Sequence, residues 1–141
     1  PGKNLRSLMG KPLIAHTIAQ ARQAQGVSRV VVSTDDEEIG RVAAAYGAEV
    51  VWRPEALSGD TATSESALVH VLDYLKETED YEPDLVLFLQ CTSPLRRPDD
   101  IDQALKTLET HNADSLVSVV PVVVWLWRVL GEQPQGTAPI E

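Results

Sequence analysis

The stretch Asp84-Leu-Val-Leu-Phe-Leu-Gln-Cys-Thr-Ser-Pro-Leu-Arg96 decides the fold. From Leu85 to Leu89 every side chain is apolar. A short continuous apolar run suits a parallel strand covered on both faces better than a half-exposed antiparallel one. The character then switches at one residue: Gln90, Thr92, Ser93 and Arg96 are hydrogen-bonding groups, and Pro94 stiffens the bend. In open α/β sheets ligands sit beyond the carboxyl ends of the strands. The stretch therefore predicts both a buried strand over 84–90 and a polar site at its end.

Working outward, helical and strand patterns alternate. Leu13, Ile14, Thr17, Ile18 and Ala21 share one helical face behind Pro12, which suits a first turn, and Gly26 is a plausible stop. Arg29–Ser33 reads as a strand, and Thr34 or Asp35 as the cap of a second helix with Ile39, Val42, Ala43 and Tyr46 inward, ended by Gly47. Glu49–Trp52 reads as another strand, and Arg53–Thr63 as a long polar loop, of a kind that is often functional. A third helix carries Ala67, Leu68, Val71, Leu72 and Leu75 on one face, with Ser64 placed to cap it. A fourth, opened by Pro98, carries Ile101, Ala104, Leu105 and Leu108, and Ser115–Val120 reads as a last strand. Such alternation predicts an α/β fold in three layers, a mostly parallel sheet with helices on both faces. Residues 1–141 are read as a single domain. The chain opens on Pro-Gly-Lys-Asn without a strand and closes on the turn-like stretch 131–141, so the expectation is an incomplete domain from a longer protein. Truncation predicts low stability or self-association, with Trp125 and Trp127 near the surface.

The net charge of −9 argues against binding to nucleic acid or an anionic membrane, and no run approaches the roughly 20 apolar residues of a spanning helix. The charge is unevenly placed. Lys3, Arg6, Lys11, Arg22 and Arg29 precede the first acid, Asp35, so all 21 acidic residues lie after position 34. An acid-free leading segment can hold a compact anion such as a nucleoside triphosphate, or be chance clustering on solvated helix faces. A single cysteine, Cys91, excludes an internal disulfide and fits a reducing compartment. His16, His70 and His111 have no partners at metal-ligand spacing.

Several motifs sit on strand-end loops. In Pro1-Gly2-Lys3-Asn4-Leu5 a glycine lets backbone approach a phosphate, Lys3 neutralises it, and Asn4 both donates and accepts. The spacing is neither that of a P-loop nor that of the dinucleotide fingerprint. Arg53 carries five donors suited to a base carbonyl or a phosphate, and the Ser64 hydroxyl can reach a base as well as cap a helix. Ser33-Thr34-Asp35-Asp36 is accounted for by a helix N-terminus, and a metal role for Asp35 requires further carboxylates nearby.

Taken together, Pro1-Gly-Lys-Asn-Leu, Gly10-Lys-Pro-Leu-Ile-Ala-His-Thr-Ile, Val30-Val-Val-Ser-Thr-Asp-Asp, Tyr46-Gly-Ala-Glu-Val, Arg53-Pro-Glu-Ala-Leu, Asp60-Thr-Ala-Thr-Ser and Leu89-Gln-Cys-Thr-Ser-Pro-Leu-Arg96 resemble the acylneuraminate (CMP-sialic acid) cytidylyltransferases, in family order over roughly residues 1–120. The resemblance implies a Rossmann-like, nucleotide-diphospho-sugar transferase-like fold and transfer of CMP from CTP to a nonulosonic acid with release of pyrophosphate. It also implies Mg²⁺, a cytoplasmic location and a homodimeric full-length parent. By the same resemblance Lys3 is the catalytic residue and meets the CTP phosphates, Asn4, Arg53 and Ser64 surround the cytidine, and Gln90, Thr92, Ser93 and Arg96 line the acceptor-sugar end. The family's Arg-x-Gly-Ser-Lys stretch is absent, its Asp-x-Asp metal ligands are expected beyond residue 141, and Cys91 stands where a proline is usual. The chain alone is therefore expected to be inactive. The alternatives are a non-catalytic nucleotide-binding or interaction domain of the same fold, and a sugar-nucleotide synthase that uses GTP or UTP.

Overall fold

The computed structural model describes residues 2–59, 63–119, 127–130 and 133–136. It divides into two compact units, Pro1–Thr107 and Leu108–Glu141.

The first unit opens with a 3-10 turn at Lys3–Leu5 and a tight antiparallel hairpin, β1 (Ser7–Leu8) against β2 (Lys11–Pro12). Its two turn residues, Met9 and Gly10, have φ of 50° and 81°. Positive φ at both centres matches the twist of the flanking strands, and glycine supplies one of them without strain. The hairpin delivers the chain into helix α1 (Leu13–Gln23), which buries Ile14, Thr17, Ile18 and Ala21 of the expected face and Ala15 besides, while Leu13 is half-buried. His16 lies on that helix with Nε2 2.7 Å from the Leu8 carbonyl oxygen, which ties helix to hairpin.

Strand β3 (Val31–Thr34) follows, then α2 (Glu37–Ala45) and strand β4 (Glu49–Trp52). The strands are parallel, with Val31 opposite Glu49 and Thr34 opposite Trp52. The cap of α2 is Asp36, one or two residues beyond the expected Thr34 or Asp35. Its carboxylate accepts the amides of Glu38 (2.8 Å) and Ile39 (3.0 Å). The Thr34 hydroxyl instead accepts the Asp36 amide at 3.1 Å, which sets the bend ahead of the helix. Ile14, Ile18, Ala43 and Ala48 form the core, with Val30, Val32, Ile39, Val42, Tyr46 and Val50 packed around them. Gly40 allows the close approach of α2 to β4: a Cβ there would collide with the Trp52 ring.

Helix α3 (Ser64–Glu79) is capped by Thr63, whose hydroxyl accepts the Ser66 amide at 3.2 Å, so Ser64 is the first helical residue rather than the expected cap. Helix α4 (Asp100–Thr110) starts two residues after Pro98, with the Asp100 carboxylate accepting the Arg97 amide at 2.8 Å. From α4, Asp102 reaches back to the end of α1, where its carboxylate accepts the amides of Gln25 (3.1 Å) and Gly26 (3.0 Å). Arg29 ties the start of β3 to two other elements. It pairs with Glu49 on β4 and with Glu79 at the end of α3, and lies 4.6 Å from the Tyr81 ring centroid.

Two expected strands are not formed among the described residues. The stretch 84–90 has no strand ladder, and Leu85, Val86, Leu87 and Phe88 are 56, 51, 37 and 48% exposed. A strand exists by pairing with a neighbour about 4.8 Å away. β3 pairs with β4 alone, so the first unit's parallel sheet has two strands among the described residues. Residues 115–119 likewise have no ladder, and Val120 lies outside the described residues. In the second unit β5 (Trp127–Leu130) and β6 (Gln133–Gly136) form an antiparallel hairpin, so part of the tail read as turn-like is extended and paired. Trp125 lies outside the described residues.

Candidate functional site

Parallel pairing brings the carboxyl ends of β3 and β4 side by side, and the ladder continues one step past them, the Arg53 amide donating to the Thr34 carbonyl at 2.9 Å. Asp35 and Arg53 therefore emerge together. The Arg53 guanidinium pairs with the Asp35 carboxylate at 3.1 Å, and its Nε donates to the Ser58 hydroxyl at 3.2 Å. Ser58 in turn donates to the Pro54 carbonyl at 3.0 Å. The hydrogen bond from Arg53 holds the Asp35 carboxyl below the usual carboxylate range. Asp35 and Ser58 engage two of the five guanidinium N–H groups, and the remainder are the part of Arg53 suited to a ligand.

A cavity of about 600 Å³ opens at this edge, and Asn4, Asp35, Arg53 and Ser64 line it. Asn4 arrives on the 3-10 turn after Gly2, whose φ is 72°, and Ser64 on the first turn of α3. Three of the four residues expected to hold a nucleotide thus share one cavity, and Asp35 joins them. Lys3, the fourth, is exposed and does not line that cavity.

The expected sugar-side residues lie on the loop 90–96, outside the cavity lining. Gln90, Thr92 and Ser93 are exposed. The Ser93 amide donates to the Gln90 carbonyl at 3.3 Å, which makes the loop a turn. Arg96 faces the loop's own backbone: its guanidinium donates to the Gln90 carbonyl at 3.2 Å and to the Gln20 side-chain oxygen at 3.1 Å. Gln20 also donates to the Pro94 carbonyl at 2.6 Å, so a residue of α1 clamps this loop from both sides. Sequence pattern offered no signal for Gln20. It sits on an ordinary helix face, and its partners lie 74 and 76 residues away. The Asp35 partnership with Arg53 was equally invisible, because Asp35 reads as part of a helix cap.

Cys91 is half-buried and lines the cavity. Burial pushes its thiol up, while the positive charges of Arg96 and Lys3 act in the opposite direction. Burial wins, so the residue is a protonated thiol and a poor nucleophile at neutral pH. Among the described residues no group of three or more His, Cys, Asp or Glu is arranged to hold a metal ion. The carboxylate nearest the site, Asp35, is committed to Arg53. These side chains do not fit a Mg²⁺ site by themselves.

The family described as cytidylyltransferase matches residues 1–129. The CMP-N,N'-diacetyllegionaminic acid synthase of Legionella pneumophila is 45% identical over 125 residues, which cover 86% of this chain and 52% of that protein. The N-acylneuraminate cytidylyltransferase of Escherichia coli is 38% identical over 108 residues, 77% of this chain and 25% of that one. A solved structure of CMP:2-keto-3-deoxy-manno-octonic acid synthetase complexed with CTP superposes with a TM-score of 0.65 at 30% identity, covering 80% of this chain and 43% of that one. The chain thus spans between a quarter and about half of the length of these proteins. No helix among the described residues is long and apolar enough to cross a membrane. With one family matched over 1–129 and the α/β architecture shared with a solved synthetase, the chain belongs to the cytidylyltransferase family.

Proposed function

We propose that this chain is part of a cytoplasmic enzyme that transfers CMP from CTP to the anomeric hydroxyl of a nonulosonic acid and releases pyrophosphate. The carrying observation is the convergence of Asn4, Arg53 and Ser64 on one cavity beyond the carboxyl ends of two parallel strands. In this reading Arg53, braced by Asp35 and Ser58, donates to the cytosine or its phosphate, and Asn4 and Ser64 complete the polar edge that selects a pyrimidine. Lys3, exposed on the 3-10 turn next to Asn4, meets the phosphates and stabilises charge as the nucleotidyl group transfers. Gln90, Thr92 and Ser93, exposed on the turn that Gln20 and Arg96 brace, present donors and acceptors to the acid sugar. Arg96 serves this reading by shaping the turn, since its guanidinium is engaged with Gln90 and Gln20.

Mg²⁺ and the homodimeric assembly are proposed for the longer protein, with the ion's ligands outside these residues. Residues 1–141 are proposed to be inactive alone. The test is pyrophosphate release from CTP, with Mg²⁺ and each of several nonulosonic acids, by the longer protein and by this chain. Turnover by the longer protein with at least one acid is expected, with Arg53→Ala and Lys3→Ala each lowering kcat/KM by roughly 10²-fold or more. Absence of turnover with every acid, or equal use of CTP, UTP and GTP, overturns the reading.

A further inference from the structure

Arg53 does not stand at the cavity edge as a free cation. Its backbone amide is fixed on the Thr34 carbonyl at 2.9 Å. Its guanidinium is fixed at two further points, Nη2 on the Asp35 carboxylate at 3.1 Å and Nε on the Ser58 hydroxyl at 3.2 Å. Of the five N–H groups, both on Nη1 and one on Nη2 are left. Because the Asp35 carboxyl lies below the usual carboxylate range, the pair is fully ionised and charge-balanced at neutral pH. The surroundings add no positive charge. The two segments that carry the pair, 35–38 and 53–58, hold Asp35, Asp36, Glu37, Glu38 and Glu55 against Arg53 alone. The leading segment is the reverse. Lys3, Arg6 and Lys11 are exposed there and form no ion pair among the described residues.

We propose that Asp35 is a specificity-determining residue: by balancing the charge of Arg53 and fixing its fork, it makes that guanidinium a reader of an uncharged base edge instead of an attractor of phosphate. This rests on the proposed CTP site, and it assigns Arg53 to one of the two groups, base or phosphate, that the site offers it. Every nucleoside triphosphate carries the same phosphates, so a cation that attracts phosphate adds affinity without discrimination. A guanidinium that already faces a carboxylate gains little from a second anion, because that anion must also approach the first. Its free N–H groups still donate to a neutral carbonyl, and a donor held at both its backbone and its head loses little freedom in doing so. Selection then depends on where the carbonyl lies, and a base that presents none there leaves the donors unpaired. Attraction of the phosphates falls to the unpaired cations of residues 3–11. Asp35 touches no ligand in this scheme and acts through Arg53.

The test is inhibition of the longer protein by two parts of CTP, cytidine, which has the base and no phosphate, and inorganic tripolyphosphate, which has the phosphates and no base. Asp35→Asn keeps the Asp36 cap of α2 and is expected to fold, which a thermal melt checks. It should move the two inhibitors in opposite directions, with cytidine weakened about tenfold and tripolyphosphate strengthened about threefold. The ratio of kcat/KM for CTP over GTP should fall about tenfold. Ser58→Ala frees the fork without changing its charge, and should weaken cytidine about threefold with tripolyphosphate unchanged. Glu37→Gln removes a carboxylate from the same turn but not from the pair, and should leave cytidine and the CTP-over-GTP ratio unchanged. Movement of both inhibitors in the same direction in Asp35→Asn, no movement of either, or an equal response from Glu37→Gln overturns the inference. A longer protein that neither turns over CTP nor is inhibited by cytidine overturns the CTP site and this inference with it, and the unsubstituted protein alone reveals that failure.

Discussion

Replacing Gln20 by Ala removes the clamp between α1 and the 90–96 loop while leaving every loop residue intact. Two hydrogen bonds go, the 2.6 Å bond to the Pro94 carbonyl and the 3.1 Å bond from the Arg96 guanidinium. A neutral bond contributes roughly 0.5–1.5 kcal/mol and one to a charged group roughly 1.5–3 kcal/mol. Both groups are half-buried and Arg96 keeps its bond to the Gln90 carbonyl, so water recovers part of the loss. A net local cost of about 1–3 kcal/mol follows. At 1.4 kcal/mol per decade the loop then opens about 5 to 150 times more often. Amide exchange at residues 90–96, the Ser93 amide above all, reads this directly, while α2 amides from Gly40 to Ala45 should be unchanged. Arg96→Ala should cost a similar amount, and the double variant less than the sum by about 0.5–1.5 kcal/mol, because the two side chains share one bond. Unaltered exchange in the loop would refute the clamp. Uniform acceleration throughout the unit would show Gln20 to be a general stabiliser instead.

Three further outcomes follow from the same contacts. Because Arg53 depresses the folded-state carboxyl of Asp35, that pair contributes stability above the unfolded carboxylate range and loses it as pH falls through the folded value. The Asp35→Asn variant should lose this acid-limb dependence in a melting series below about pH 4, and by no more than about 1 kcal/mol, since the pair is partly exposed. Gly40→Ala drives a methyl into the half-exposed Trp52 ring while gaining about 1 kcal/mol of helix propensity, so a net cost of about 0–2 kcal/mol is expected in urea unfolding, and a net gain in stability would mean that the ring does not rest on α2. Cys91 should react with iodoacetamide at pH 7.5 about tenfold more slowly than a model thiol and recover the model rate in urea, and fast native labelling would contradict its burial.

The helices were legible because each carries an apolar stripe at helical spacing: Ile14, Ile18 and Ala21 of α1 are buried as expected, whereas Leu75 in α3 and Ile101 in α4 are the buried members of stripes that are otherwise half-buried. Their first residues were less so, because a cap depends on which of several adjacent polar side chains turns inward. Asp36 won over Thr34 and Asp35, and Thr63 over Ser64. The Ser7–Pro12 hairpin left no pattern, since its strands have two residues each and Met9 is an unusual occupant of a positive-φ position. The run Leu85–Leu89 reads as a buried strand from its apolar character, yet its ladder is a property of a pair and not of the run, and Leu85–Phe88 are exposed. Asn4, Arg53 and Ser64 could be nominated because strand-end loops collect ligand groups. Gln20 could not, because its function in the loop arises only from tertiary distance.

The carboxylate of Asp102 across the end of α1 also sets a clock. Its bonds to the Gln25 and Gly26 amides span 77 and 76 residues. At about 5–20 residues per second of synthesis, the turn after α1 waits some 4–15 s before the residue that locks it exists. Until then the amides of Gln25 and Gly26 depend on water, although the Ala24 amide already closes the helix on the Ala21 carbonyl. Contacts of long sequence separation also cost loop-closure entropy before they contribute. Helix α1 is therefore secured well after it leaves the ribosome, and the interval exposes its apolar face to whatever chaperone reaches it first.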